Sequence, residues 1–227
     1  MLTVELHAHS ERSHDGRDPI ELLLEQAAAV GIDALAVTDH DAFGESERAA
    51  DLAPEFGLIG IPGMEITSEA GHVLALGIDR KISAGLSFED TVEAIHEAGG
   101  IAVVPHPFQK SRSGVAPNIS REALTGADAI EVYNSRLLTG RANRKARSFA
   151  KEHGLPQTAG SDAHIAELVG QAITAVDASS ETAAGIVDAI RAGRTSVEGR
   201  RTPWHISFRQ AAGGAKRRVK SRLASYF

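Results

Sequence analysis

The sequence predicts an α/β domain built from successive strand–helix units, and three observations lead there. Short apolar, β-branched runs alternate with helical patterns of period 3.6. A hydrophobic share of 42% with 22 glycines in 227 residues suits a globular chain with many strand-to-helix turns. Most of the histidines and several acids fall where a predicted strand gives way to a loop, the rim on which parallel α/β architectures bind ligands.

The elements follow in order. "MLTVEL" opens an apolar run that predicts a strand over residues 3–9. "DPIELLLEQAAAVG" predicts a helix with Asp18 as N-cap, Pro19 at the first helical position and Gly31 as the stop. "IDALAVTDH" reads as a buried strand, "ESERAADLAPEFG" as a helix, and "LIGIPGMEI" and "HVLALGI" as two further strands. "SFEDTVEAIHEAGG" predicts a helix capped by Ser87 and ended by glycine. "IAVVPH", "DAIEVYN", "GLPQTAGSD" and "GQAITAV" continue the strands, with helices over residues 140–153 and 180–192. No internal repeat and no low-complexity linker interrupts the series.

Composition narrows the function classes. No apolar run reaches the roughly 18 residues of a membrane span, and charged residues stand where a signal peptide needs an apolar core, so a soluble cytoplasmic protein is expected. The absence of cysteine removes disulfides and thiolate metal sites together, so any metal must be held by nitrogen and oxygen. Net charge is −6, yet eight basic residues and no acid follow Glu198. The division is a body over residues 1–199, more acidic than the whole, and a basic tail over 200–227. An acidic body disfavours a broad nucleic-acid surface. The tail, with Val219, Leu223 and Phe227 on one side of a short amphipathic pattern, reads as a flexible basic end.

The opening segment concentrates imidazoles. In "ELHAHSERSHDG", strand alternation turns His7 and His9 to one face and Leu6 and Ala8 to the other. Two protonated imidazoles side by side would repel, whereas a shared cation binds both as neutral ligands. Strand ends add His40 in "VTDHD", Glu65 in "GMEI", His72, His106 in "VVPH", and Asp162 with His164 in "GSDAH". His96, His153 and His205 read as ordinary core or surface residues. Ser10 and Ser161 read as turn hydroxyls, because neither sits in a nucleophile elbow with a spare histidine.

The motifs "ELHAHS", "SHDG", "VTDHD", "GMEI", "HVLALGID", "VVPHP", "AIEVYN" and "GSDAH", in this order, resemble those of the PHP (polymerase and histidinol phosphatase) superfamily. The resemblance runs from about residue 2 to residue 198 and implies a distorted (β/α)7, TIM-like barrel with a bi- or trinuclear metal centre that hydrolyses phosphoesters. It implies one metal on His7, His9, Glu65 and Asp162, a second on Glu65, His72 and His106, and a third on Asp15, His40 and His164. Two or three divalent ions, Zn, Mn or Fe, suit these ligands. Glu5 stands where the family usually has Asp, and "SHDG" carries one extra residue, which leaves His14 as a rival to Asp15. Asp39 is expected to orient a ligand imidazole.

The reaction the resemblance implies is attack on phosphorus by metal-activated hydroxide, with Asp162 or His164 assisting proton movement. Phosphate is expected to meet a cation, for which Arg136, Arg141 and Lys110 are the candidates, with Arg112 and Arg144 behind them. Only about 22 residues separate His106 from the strand at residue 129, so an open site and a small phosphorylated substrate, a phosphomonoester or nucleotide, are expected. An exonuclease trimming short RNA or DNA ends, an amidohydrolase, and a non-catalytic metal-stabilised module are the competing readings.

Overall fold

Apolar side chains on both faces of one curved sheet organise the chain. The computed structural model describes residues 1–136 and 140–199; the predicted basic tail, with His205, lies outside the described residues. The strands are β1 (Leu2–Ala8), β2 (Ala34–Val37), β3 (Ile59–Thr67), β4 (His72–Leu76), β5 (Ile101–Val104), β6 (Ala129–Asn134), β7 (Gln157–Gly160), β8 (Ala172–Val176) and β9 (Thr195–Gly199). The helices are α1 (Ile20–Ala29), α2 (Gly44–Leu52), α3 (Phe88–Glu97), α4 (Arg121–Leu124), α5 (Arg141–His153) and α6 (Ala183–Arg191). Strand order is β7-β6-β5-β4-β3-β2-β1-β8-β9.

The sheet from β1 to β7 curls into a nearly closed barrel. Ala8 at the end of β1 bridges Ala163, just past β7, with the His9 N–H donating to the Ala163 carbonyl at 2.7 Å and the Ala163 N–H to the His7 carbonyl at 3.2 Å. Lower down, β1 pairs with β8 instead, so the β1–β7 seam is open there. Glu5 fills it: its buried carboxylate accepts N–H bonds from Ser161 (3.0 Å), Gly170 (3.1 Å) and His7 (3.1 Å). Burial pushes this carboxyl up to about 7.

Inside the barrel, Val4, Leu6, Ala36, Ile61, Leu74 and Val103 pack together, and Ile186, Val187 and Ile190 of α6 join the same cluster. Outside, α1 and α2 cover β2, and α3 and α5 cover β4 to β6. Each fully buried aliphatic or aromatic side chain contributes about 1.5–3 kcal/mol relative to exposure.

Several sequence expectations shift. Pro19 is the N-cap of α1, and Asp18 instead accepts the Ala166 N–H at 2.7 Å, tying the loop after β1 to the turn after β7. The helix predicted over 45–57 divides into α2 and a 3-10 turn, Ala53–Phe56, because Pro54 has no N–H to continue the α ladder. Strand β4 is antiparallel to both neighbours, and β8 is antiparallel to β1, so the sheet is mixed. Strand β9, half-exposed and polar, and the one-turn α4 had no apolar period to announce them.

Candidate metal centre

A break in strand register aims the first two histidines. β1 pairs regularly with β2 up to Glu5 and shifts before Ala8. Leu6 therefore packs with Val4 in the barrel interior, whereas Ala8 packs outside with α1. Past the bulge His7 and His9 still share the inner face, their ring centroids 5.1 Å apart, but Leu6 lies on that face too. Glu65 continues the inward parity of Ile61 on β3. His72 reaches the same rim from the first residue of β4 because β4 runs the other way. His106 and Asp162 both hold left-handed backbone, φ 34° and 52°, a conformation that costs about 1–3 kcal/mol per residue and collects at functional sites.

Glu65 is the hub. Its Oε2 lies 3.2 Å from Nε2 of His7, 3.2 Å from Nε2 of His9 and 3.4 Å from Nδ1 of His40. Its Oε1 lies 2.8 Å from His72 Nδ1 and 3.4 Å from His106 Nε2. Asp162 Oδ1 lies 3.2 Å from His164 Nδ1 and 3.8 Å from His9 Nε2. Asp15 Oδ2 meets His164 Nε2 at 2.6 Å, and its Oδ1 lies 3.8 Å from His40 Nε2. Gly16 sets this loop: a Cβ there would collide with the Ser10 carbonyl.

All nine sequence-predicted donors thus meet at one rim. They form four overlapping groups with donor atoms mutually within 4.8 Å: His7–His9–Glu65, His40–Glu65–His72, His7–His106–Asp162, and His9–Asp15–His40–His164. Asp162 groups with His7 and His106 rather than with His9 and Glu65, and His14 is in none of the groups; its ring lies 4.7 Å from that of His40.

Electrostatics prepare the cluster for cations. Burial opposes the charge on Glu65, but His7 and His40 outweigh it and hold the carboxyl well below its ordinary value. Burial likewise opposes Asp162, and Arg136 and Arg112 outweigh it. Burial holds His40 down at about 4, and burial with His164 lowers His9. Burial would lower His7 too, but Glu65 and Glu131 raise it well above the usual imidazole range. Buried His9 Nε2, His40 Nδ1, Glu65 Oε1, His72 Nδ1 and His106 Nδ1 lack a hydrogen bond of acceptable geometry among the described residues. Unpaired buried polar atoms are costly, and neutral imidazole nitrogens facing shared carboxylate oxygens fit divalent cations of the Zn, Mn or Fe kind.

Sequence reasoning missed Glu131. Its buried Oε1 accepts from His7 Nδ1 at 3.0 Å, and its Oε2 accepts from the His106 N–H at 2.8 Å and Asn134 Nδ2 at 3.0 Å. A carboxylate acceptor at Nδ1 turns His7 Nε2 toward Glu65. Gly160 leaves the space this requires, since a Cβ there would stand 2.5 Å from both Glu131 Oε1 and His7 Cβ. The signal was parity: residue 131 follows Ala129 on the inward face of β6. Glu131→Gln is expected to weaken metal affinity about 10- to 100-fold, read by competition with a chromogenic chelator; affinity within twofold of wild type would refute the role.

The other predicted groups separate. Asp39 accepts from Ser10 N (2.6 Å) and Ser10 Oγ (2.5 Å), so it fixes the turn after β1 rather than a ligand imidazole. Ser161 Oγ donates to the Ala172 carbonyl and accepts the Ala172 N–H at the start of β8, as expected of a structural hydroxyl. An open cavity of about 610 Å³ lies over the donors, lined also by Gln109, Ser111, Arg112 and Arg136. Arg136 NH1 lies 3.1 Å from Asp162 Oδ1 and 2.7 Å from His164 Nε2, and Arg112 NH1 lies 3.1 Å from Asp162 Oδ2. Lys110 is exposed on the 3-10 turn Lys110–Arg112 and does not line this cavity, and Arg141 lines a different one. Arg112 takes the place expected of Lys110: it lines the cavity and contacts Asp162, whereas Lys110 is exposed outside it.

Fold and site together define a distorted α/β barrel carrying a multi-histidine, multi-carboxylate centre at one rim. The chain belongs to the PHP superfamily of metal-dependent phosphoesterases. Residues 140–195 match the PHP-associated family model. An uncharacterized protein of Methanocaldococcus jannaschii is 32% identical over 143 residues, 59% of this chain and 84% of that protein. A 3',5'-nucleoside bisphosphate phosphatase of Chromobacterium violaceum is 36% identical over 83 residues, 35% of this chain and 29% of that one. A two-domain Bacteroides vulgatus protein containing a predicted PHP-like metal-dependent phosphoesterase shares the fold at TM-score 0.74 and 21% identity, over 88% of this chain and 65% of its own. No described helix is long and apolar enough to cross a membrane.

Proposed function

We propose that the chain hydrolyses phosphoesters of small phosphorylated molecules, phosphomonoesters or nucleotides, at this rim. One observation carries the reading: seven of the nine metal-type donors and two guanidiniums, Arg112 and Arg136, line a single open cavity, and the other two donors, His7 and His9, meet Glu65 at its wall. Divalent cations, when bound there, supply Lewis acidity toward phosphoryl oxygens and acidify water. The protein's own groups do the rest. Arg136 and Arg112, anchored on Asp162, present fork-shaped donors suited to non-bridging phosphate oxygens. We assign proton transfer on this wall to His164, with the ionised Asp162, 3.2 Å from its Nδ1, as its partner. A non-catalytic module would be free to lose donors, and here every position is filled.

Release of phosphate from p-nitrophenyl phosphate and nucleoside monophosphates, with Mn, Zn or Fe(II) supplied in turn, tests the reading; no turnover with any metal would overturn it. Arg136→Ala is expected to lower kcat/KM roughly 10- to 150-fold, the equivalent of a charge-assisted hydrogen bond of about 1.5–3 kcal/mol, chiefly through KM. An unchanged KM would remove Arg136 from phosphate binding.

A further inference from the structure

On the outer layer of the barrel, an apolar groove runs between α3 and α4. Phe88, Val92 and Ala123 form the floor of this groove, about 310 Å³ in volume, and Glu89, Glu93 and Glu97 form its rim. Their spacing of four residues stacks the three acids along one edge of the helix. All three are exposed, and none of these carboxylates meets a cation among the described residues. Glu21 and Glu45 on α1 and α2, by contrast, share Arg48. The row disfavours the helix that carries it. Like charges four apart repel, and Glu97 stands in the last turn, where a carboxylate opposes the helix dipole.

The chain carries a segment of complementary pattern. Residues 216–227, "KRRVKSRLASYF", hold five cations and no acid. Val219, Leu223 and Phe227 recur every four residues, one side of a helical projection, and Lys220 and Arg222 flank that stripe. An apolar stripe edged with cations thus answers an apolar floor edged with acids. Val197 on β9, the last strand before the segment, packs against the same core cluster as Phe88 and Val92. Residues 200–215 reach at most roughly 55 Å when extended, against a diameter of about 40 Å for a domain of this size. Every face of the domain is therefore within range. The tether raises the local concentration of the segment to about the millimolar range, which favours it over a second copy of the chain.

We propose that residues 216–227 dock in the α3–α4 groove of their own chain, with Leu223 and Phe227 on the apolar floor and Lys220 beside the acid row. The basic segment is then a strap across the outer layer of the barrel, and its cations are neutralised by the domain itself rather than left for a polyanion. The proposal does not depend on the phosphoesterase reading.

Zero-length carbodiimide cross-linking of the full chain, followed by peptide mass spectrometry, tests it, because the reagent joins a lysine amine to a carboxylate only where the two touch. Links from Lys216 or Lys220 to Glu89, Glu93 or Glu97 are expected within one chain. Mixing isotope-labelled with unlabelled protein separates these from links between chains. Leu223→Ser/Phe227→Ser keeps both lysines and all three acids but removes the apolar insertion, and should lower the yield of these links at least about tenfold. Links spread over acids all around the domain, links between chains only, or an unchanged yield in the double variant would each overturn the proposal.

Discussion

Glu65→Ala is expected to lower kcat/KM for phosphoester hydrolysis by about two to four orders of magnitude. Glu65 is 1% exposed and lies within 3.4 Å of five imidazoles, so it supplies the negative charge that lets those rings share one pocket. Losing a single group that stabilises transition-state charge costs about 10²–10³ in kcat, and a weakened hold on the cations adds to that loss. Two of the four donor groups lose a member at once. Glu65→Gln keeps the shape and removes the charge, so its kcat/KM should fall nearly as far. A glutamine variant with wild-type kinetics would show that shape, not charge, is what the position supplies.

Chelation should cost the fold several kilocalories per mole. A ligand held at about 1,000 times its Kd stabilises the native state by about 4 kcal/mol, and each kcal/mol moves Tm by about 2–4 °C in a domain of this size. Dialysis against a strong chelator is therefore expected to lower Tm by roughly 8–16 °C, and adding back Mn, Zn or Fe(II) to restore it. Imidazole binds metal only when neutral, so protons compete, and the metal-dependent increment should shrink as pH falls from 8 to 6. Differential scanning fluorimetry reads all of this. Glu65→Ala should show little response to the same treatment, and a wild-type Tm indifferent to chelator at every pH would remove the metals from the folding account.

The donors were legible in the sequence because chemistry-bearing residues at strand ends need only the strand boundaries to be placed on a rim. His7, His40, Glu65 and His164 required no more than that. What escaped depends on three-dimensional register. The bulge in β1 that turns Leu6 inward together with His7 leaves no mark on an apolar run. The reversal of β4, which carries His72 to the rim from a strand start, follows from pairing with β3 and not from local propensity. Glu131 reads as an unremarkable acid in "AIEVYN" until β6 is known to face His7. Glu5, set aside as a departure from the family pattern, is explained by the open seam it fills between β1 and β7. Lys110 and Arg141 were indistinguishable from Arg112 and Arg136 in sequence, since cations near a strand end carry no record of which way they point.

Elemental analysis of the full chain, purified without chelator and compared with Glu65→Ala, tests most directly whether this rim is a metal centre. Two or three divalent ions per chain are expected in the wild type and a clear deficit in the variant. Wild-type protein that carries no metal after equilibration with Mn, Zn and Fe(II), or a variant that carries as much as the wild type, would contradict it.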